Sequence, residues 1–144
     1  MIGSIGVAGF LTGAISLFLP KTLARRAVAA MLMLDSPDEV ADGDMVDAIG
    51  ELTNMVGGNI KTELFQKAPL FDISVPSVYM GDDLQRRTVT DDLCFHVPFS
   101  IGGENFSVEE AWARAGFRTD IQPQSLTAVP VTCFPREKAV AGFQ

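Results

Sequence analysis

The run from Asp44 to Gln66 constrains the chain most, because its apolar residues recur at a helical period and its polar side is kept oddly spare. At about 100° per residue, Asp44, Asp47, Glu51, Asn54, Gly58 and Lys61 fall within one narrow sector. Val46, Ile49, Leu52, Val56 and Ile60 fall opposite, where a core would lie. An Asn in mid-helix is a poor helix former, and Gly57 and Gly58 each cost about 1 kcal/mol there. Costs accepted on one face point to a face kept clear for something. The two glycines also fit a kink or tight packing of the helix on a sheet.

The rest of the chain reads as an α+β domain, an antiparallel sheet packed against two main helices. Its 144 residues are one domain by length. Met1 to Pro20 is uncharged and apolar, but it lacks a basic start and is thinned by Gly3, Gly6, Gly9 and Gly13. Two buried strands joined by a Gly-containing turn account for it better than a signal peptide or a membrane span. Thr22 to Met33 has helical spacing with Thr22 as N-cap, and Ser36-Pro37-Asp38-Glu39 carries a start signal of its own. The long helix begins near Asp44, whose side chain caps it, and runs to about Gln66. Residues 70–79, 88–101 and 104–112 read as strands, with Gly102-Gly103 as hairpin chemistry. Ser107-x-x-Glu110 is also a capping box. The alternation of Phe106 and Val108 favours a strand that passes into a helix there. Residues 117–144 hold Pro123, Pro130 and Pro135 with little periodicity.

Composition removes several function classes. A net charge of −7 with scattered basic residues argues against nucleic acid or an anionic membrane as partner. Cys94 and Cys133 form no framework and read as reduced thiols of a cytoplasmic protein. His96 is the sole histidine and reads as a half-buried strand residue, so no zinc site is expected. One histidine also leaves no Ser-His or Cys-His pair, and no Gly-x-x-x-x-Gly-Lys loop is present to cradle a nucleotide. Met31, Met33, Met45 and Met55 read as core fillers rather than a partner-binding Met face. What remains is the stripe. An Asn carboxamide offers one acceptor and two donors on a rigid plane, which suits holding a water in line with a phosphorus atom. Phosphoryl transfer is largely positioning and charge stabilisation, and a side-chain amide orients the attacking water in small GTPases.

The stripe resembles the signature of the CheX/CheC/FliY family of chemotaxis phosphatases: Asp or Ser, three residues, Glu, two residues, Asn, then a longer gap to Pro. Asp47, Glu51 and Asn54 match it, and Pro76 follows Asn54 after twenty-one residues, the family's gap. Ile5-Gly6-Val7-Ala8-Gly9 with Gly13 to Pro20 is similar to the family's strand pair leading into a helix. Ile73 to Val78 and Gly81 are similar to the strand and loop after its long helix. The resemblance covers roughly residues 2 to 110, is closest over 44 to 81, and is nearest to the CheX branch.

That resemblance implies a phosphatase domain over residues 1–116, followed by an unassigned tail. It implies that Asn54 places the attacking water on the aspartyl phosphate of a CheY-like receiver, and that Glu51 pairs with the receiver's lysine. Mg²⁺ would sit on the receiver, with no cofactor bound by this chain. Asp47 would cap or buttress the helix start, as acids are favoured there. Pro76 would stiffen the bordering loop, Gly57 and Gly58 would leave room for the partner, and Lys61 would be a surface cation able to meet an acidic one. A cytoplasmic homodimer is expected. CheX-type domains carry a further helix and strand upstream of what matches here, so either the start of this sequence is truncated or the fold has lost an element. A lost strand would leave a sheet edge for the tail or a second subunit to cover. The rival expectation is a non-catalytic docking module of the same fold, like the related flagellar switch proteins. A small membrane-anchored protein is the third.

Overall fold

In the computed structural model, which describes residues 1–9, 11–64, 71–82, 84 and 93–114, the apolar start of the chain forms β1 (Ile2–Gly9) and β2 (Leu11–Phe18). They pair antiparallel with Ile5 opposite Ile15. The period-two alternation puts Ile5, Val7, Ile15 and Leu17 on one buried face. Helix α1 (Lys21–Met31), a 3-10 turn (Pro37–Glu39) and helix α2 (Asp42–Leu64) follow. Then come β3 (Phe71–Ile73), β4 (Ser77–Tyr79), β5 (Leu93–Ile101) and β6 (Glu104–Arg114). The sheet runs β3-β1-β2-β6-β5, with β4 also on β1, and every pairing is antiparallel. The α+β architecture read from the sequence is the one observed. Gly102 and Gly103 close the β5–β6 hairpin at φ 58° and 80°, a backbone that other residues rarely adopt.

Two clusters make the core. Ile5, Val7, Ile15, Leu17, Val108 and Trp112 form the sheet side, with Leu52, Val56 and Ile60 of α2 packed against them. Ala24, Val28, Val40, Met45, Ala48 and Ile49 close the space between the helices. Helix α2 lies on β1 to β4. By register, Leu93, Phe95, Val97, Phe99 and Ile101 share the helix-side face of the sheet with Trp112, Val108 and Phe106. Those five remain 44–56% exposed, and Phe99 stacks on Phe106 at 5.1 Å between ring centroids.

Several expectations are corrected here. Thr22 does not cap α1. The N-cap is Pro20, without a side-chain bond, and the Thr22 hydroxyl donates instead to Glu104 across the fold. Asp44 lies inside the first turn of α2, which starts two residues earlier. The expected strand 70–79 is two short strands, broken by a bulge at 74–76. The capping box at Ser107 loses to β6, because the strand buries Val108 and Trp112 against the core. His96 is exposed, since its alternation on β5 turns it to the face away from the helices. Of the four methionines expected in the core, Met45 is buried and Met31, Met33 and Met55 are exposed. Val46, expected on the core side, also stands partly in solvent. Residues 65–66, 88–92 and the tail from 115 lie outside the described residues, so those limits are not placed.

Candidate active site on the outward face of α2

The two sides of α2 part at single-residue intervals. Inward, Ile49 and Thr53 are buried, and the Thr53 hydroxyl is satisfied by the Ile49 carbonyl at 2.7 Å. Gly57 continues that side: a methyl added there would stand 2.7 Å from Ile5 Cγ2. Its smallness is therefore needed for helix–sheet contact, and the expectation that Gly57 clears room for a partner is withdrawn. Gly58, one residue on, has nothing within 4 Å of such a methyl. Outward, Asp47, Glu51 and Asn54 are exposed, while Gly58 and Lys61 are half-buried. The fold thus brings Asp47, Glu51, Asn54, Gly58 and Lys61 onto one face. Asp47 is not a cap, because it lies in the second turn; Asp42 and Asp44 are the acids of the first.

Pro76 reaches this face from the sheet edge. Val7 pairs with Ile73 and Ser4 with Ser77, so three residues, 74–76, stand opposite Gly6 and Ile5. That is a one-residue bulge. The Ser74 N–H donates to the Gly6 carbonyl, and the Gly6 N–H donates to Ser74 Oγ, each at 2.9 Å. Pro76, with no N–H to satisfy, fits a bulge at an edge. A methyl at Gly50 would lie 3.7 Å from Pro76 Cγ, and Gly50 sits beside Glu51 and one turn before Asn54. Pro76 therefore borders the stripe, on its Asn54 side.

The site's polar groups are unspent. Among the described residues, the ion pairs are Arg25–Asp42 and Arg26–Glu104, and no hydrogen bond engages the side chain of Glu51 or Asn54. Among those residues, no group of three or more His, Cys, Asp or Glu could hold a metal, and no helix is long and apolar enough to cross a membrane. The arrangement can present a carboxylate and a carboxamide to another molecule.

A family model for the chemotaxis phosphatase CheX matches residues 1–100. The chain belongs to the CheX family. Solved structures agree. A chemotaxis protein from Desulfovibrio vulgaris Hildenborough is 33% identical, with 78% of this chain and 71% of that one covered at a TM-score of 0.69. CheX from Desulfovibrio desulfuricans is 32% identical, with 78% and 73% covered and a TM-score of 0.69. CheX of Borrelia burgdorferi, in a CheX–CheY–BeF3–Mg²⁺ complex, shares the fold at 22% identity, 77% and 75% coverage and a TM-score of 0.61. No match is found among curated proteins.

Two residues beside the CheX stripe were not assigned to the site from the sequence: Met55, which read as a core filler rather than part of a partner-binding face, and Val75. Met55 is 53% exposed and Val75, in the bulge, is 83% exposed. Met55 had a signal, since it sits about 100° from Asn54 on the helical wheel, at the edge of the polar sector. Nothing in the sequence marks Val75, whose position depends on the bulge.

Proposed function

We propose that this CheX-family chain hydrolyses the aspartyl phosphate of a CheY-like receiver domain, with Asn54 orienting the water and Glu51 engaging the receiver's lysine. One observation carries the reading: Glu51 and Asn54 stand exposed, one turn apart, on the face of α2 that Pro76 borders. In the step, the water oxygen bonds to phosphorus as the bond from phosphorus to the aspartyl oxygen breaks. The receiver regains a free carboxylate, and both protons of the water leave on inorganic phosphate. The Asn54 amide accepts a hydrogen bond from that water and holds it in line, a contribution of orientation. The Glu51 carboxylate fixes register through a charge-assisted hydrogen bond. Mg²⁺ in this reading belongs to the receiver, where it offsets charge on the phosphoryl oxygens.

The CheX–CheY complex of the Borrelia protein supports a receiver as partner. The reading includes a cytoplasmic setting and a homodimer, for which the uncovered apolar row on β5 provides a surface. The test is loss of radiolabelled phosphate from a panel of purified receiver domains with Mg²⁺ present. The native chain should accelerate the loss, and Asn54→Ala should return it to baseline. Acceleration that survives the substitution would remove Asn54 from the mechanism. Binding of receivers with no acceleration would favour the docking module.

A further inference from the structure

The exposed Met55 and Val75 come from different elements and flank the same stripe. Around the axis of α2, Pro76 meets the helix at Gly50, on the Asn54 side, and Val75 precedes it at the tip of the bulge. Met55 projects from the opposite side, one turn beyond Glu51. The polar pair therefore lies between Met55 on one side and Pro76, with the bulge that carries Val75, on the other; the fold leaves Met55 53% and Val75 83% exposed. Single exposed apolar residues are ordinary. Two that lie beside a pair of unspent polar side chains offer a partner apolar contacts next to polar ones, the mixture a protein interface uses.

We propose that Met55 and Val75 are positioning residues that seat the phosphorylated receiver over Asn54 by taking apolar side chains from either side of its phosphorylation site. The proposal rests on the function argued above. The occupant follows from charge as well as shape. The stripe carries Asp44, Asp47 and Glu51 against one lysine, Lys61, so it favours a surface that presents a cation among apolar groups. Met55 suits such a role, because an unbranched thioether adapts to an irregular partner surface. Val75 is held by the bulge, whose Ser74 is tied to Gly6 through backbone and hydroxyl, so its place on the edge is fixed before any partner arrives.

The test measures initial dephosphorylation rates against receiver concentration, and the Kd for the same receiver domains loaded with BeF3 and Mg²⁺. Native chain, Met55→Gln, Val75→Ser and the double variant are compared. Each single substitution should raise KM and Kd together by about fivefold to tenfold, with kcat within twofold, because interface anchors act through binding. The double variant should approach the product of the two. Unchanged Kd in both single variants would overturn the proposal. So would a fall in kcat with KM and Kd unmoved, or a native chain that binds no receiver in the panel. If the native chain binds without hydrolysis, the catalytic reading fails by itself and Kd still decides the apolar contacts. Melting of each variant at the native temperature excludes loss of fold as the cause.

Discussion

Thr53 and Asn54 are neighbours in α2, yet their side chains belong to different parts of the molecule. Thr53 is buried under the sheet with its hydroxyl on the Ile49 carbonyl, while Asn54 stands in solvent with no bonded partner among the described residues. The same division separates Gly57, pressed on Ile5, from Gly58, which faces open space. A helix turns 100° per residue, so one step along the sequence crosses from packing to chemistry. The inward side should therefore govern stability and the outward side the reaction with a partner.

The strongest blow to the inward side is Ile5→Ala. Ile5 is fully buried where α2 meets β1, and thermal or urea unfolding should report a loss of about 2–5 kcal/mol. A loss below 1 kcal/mol would show that the contact is slack and would blur the division. The glycines sharpen it further, because the same substitution should act with opposite sign at adjacent positions. Gly57→Ala forces a methyl against Ile5 and should destabilise by about 1–3 kcal/mol, despite the better helix propensity of alanine. Gly58→Ala meets nothing and should stabilise by about 0.5–1 kcal/mol. Equal effects would mean that α2 shifts on the sheet to accept either residue.

The smallest effect lies away from both sides. The hydrogen bond from Thr22 holds the Glu104 carboxyl below its ordinary value of 4.5, with burial opposing it and Arg26 adding a further bond and its charge. A lowered carboxyl contributes stability above its unfolded value and loses it as pH falls through the folded value. Native and Glu104→Gln proteins should thus differ slightly in melting temperature at pH 7, and the gap should vanish as the pH falls below the range of an ordinary carboxyl. The effect is small because this surface cluster is screened by solvent. A gap that widened in acid would reverse the sign assigned to Glu104.

Much of this was legible in the sequence, for physical reasons that differ by region. The stripe of Asp47, Glu51, Asn54, Gly58 and Lys61 follows from the helical period alone. The role of Gly57 does not, since glycine carries no side chain to mark its direction. Thr53 was hidden because a satisfied hydroxyl lets a polar residue take a core position. The split of residues 70–79 into two strands turns on one extra residue opposite Gly6 and Ile5, which no alternation pattern announces. Pro76 was assigned to the site by the resemblance, and only the bulge explains how it arrives beside Gly50. Thr22 had the right chemistry for a cap but found a carboxylate, a stronger acceptor, on a hairpin 82 residues away.

The most direct measurement of the central claim is the neighbouring pair, with each variant assayed for both melting and dephosphorylation of a receiver domain. Asn54→Ala should melt at or slightly above the native temperature, since alanine is the better helix former, and lose hydrolysis by about 10²-fold or more, the scale of a lost transition-state contact. Thr53→Ala should lose about 1–2 kcal/mol of stability with its buried hydroxyl and methyl and keep the native kcat below its melting range. Native hydrolysis in Asn54→Ala, or a loss of stability as large as that of Thr53→Ala, would contradict the account.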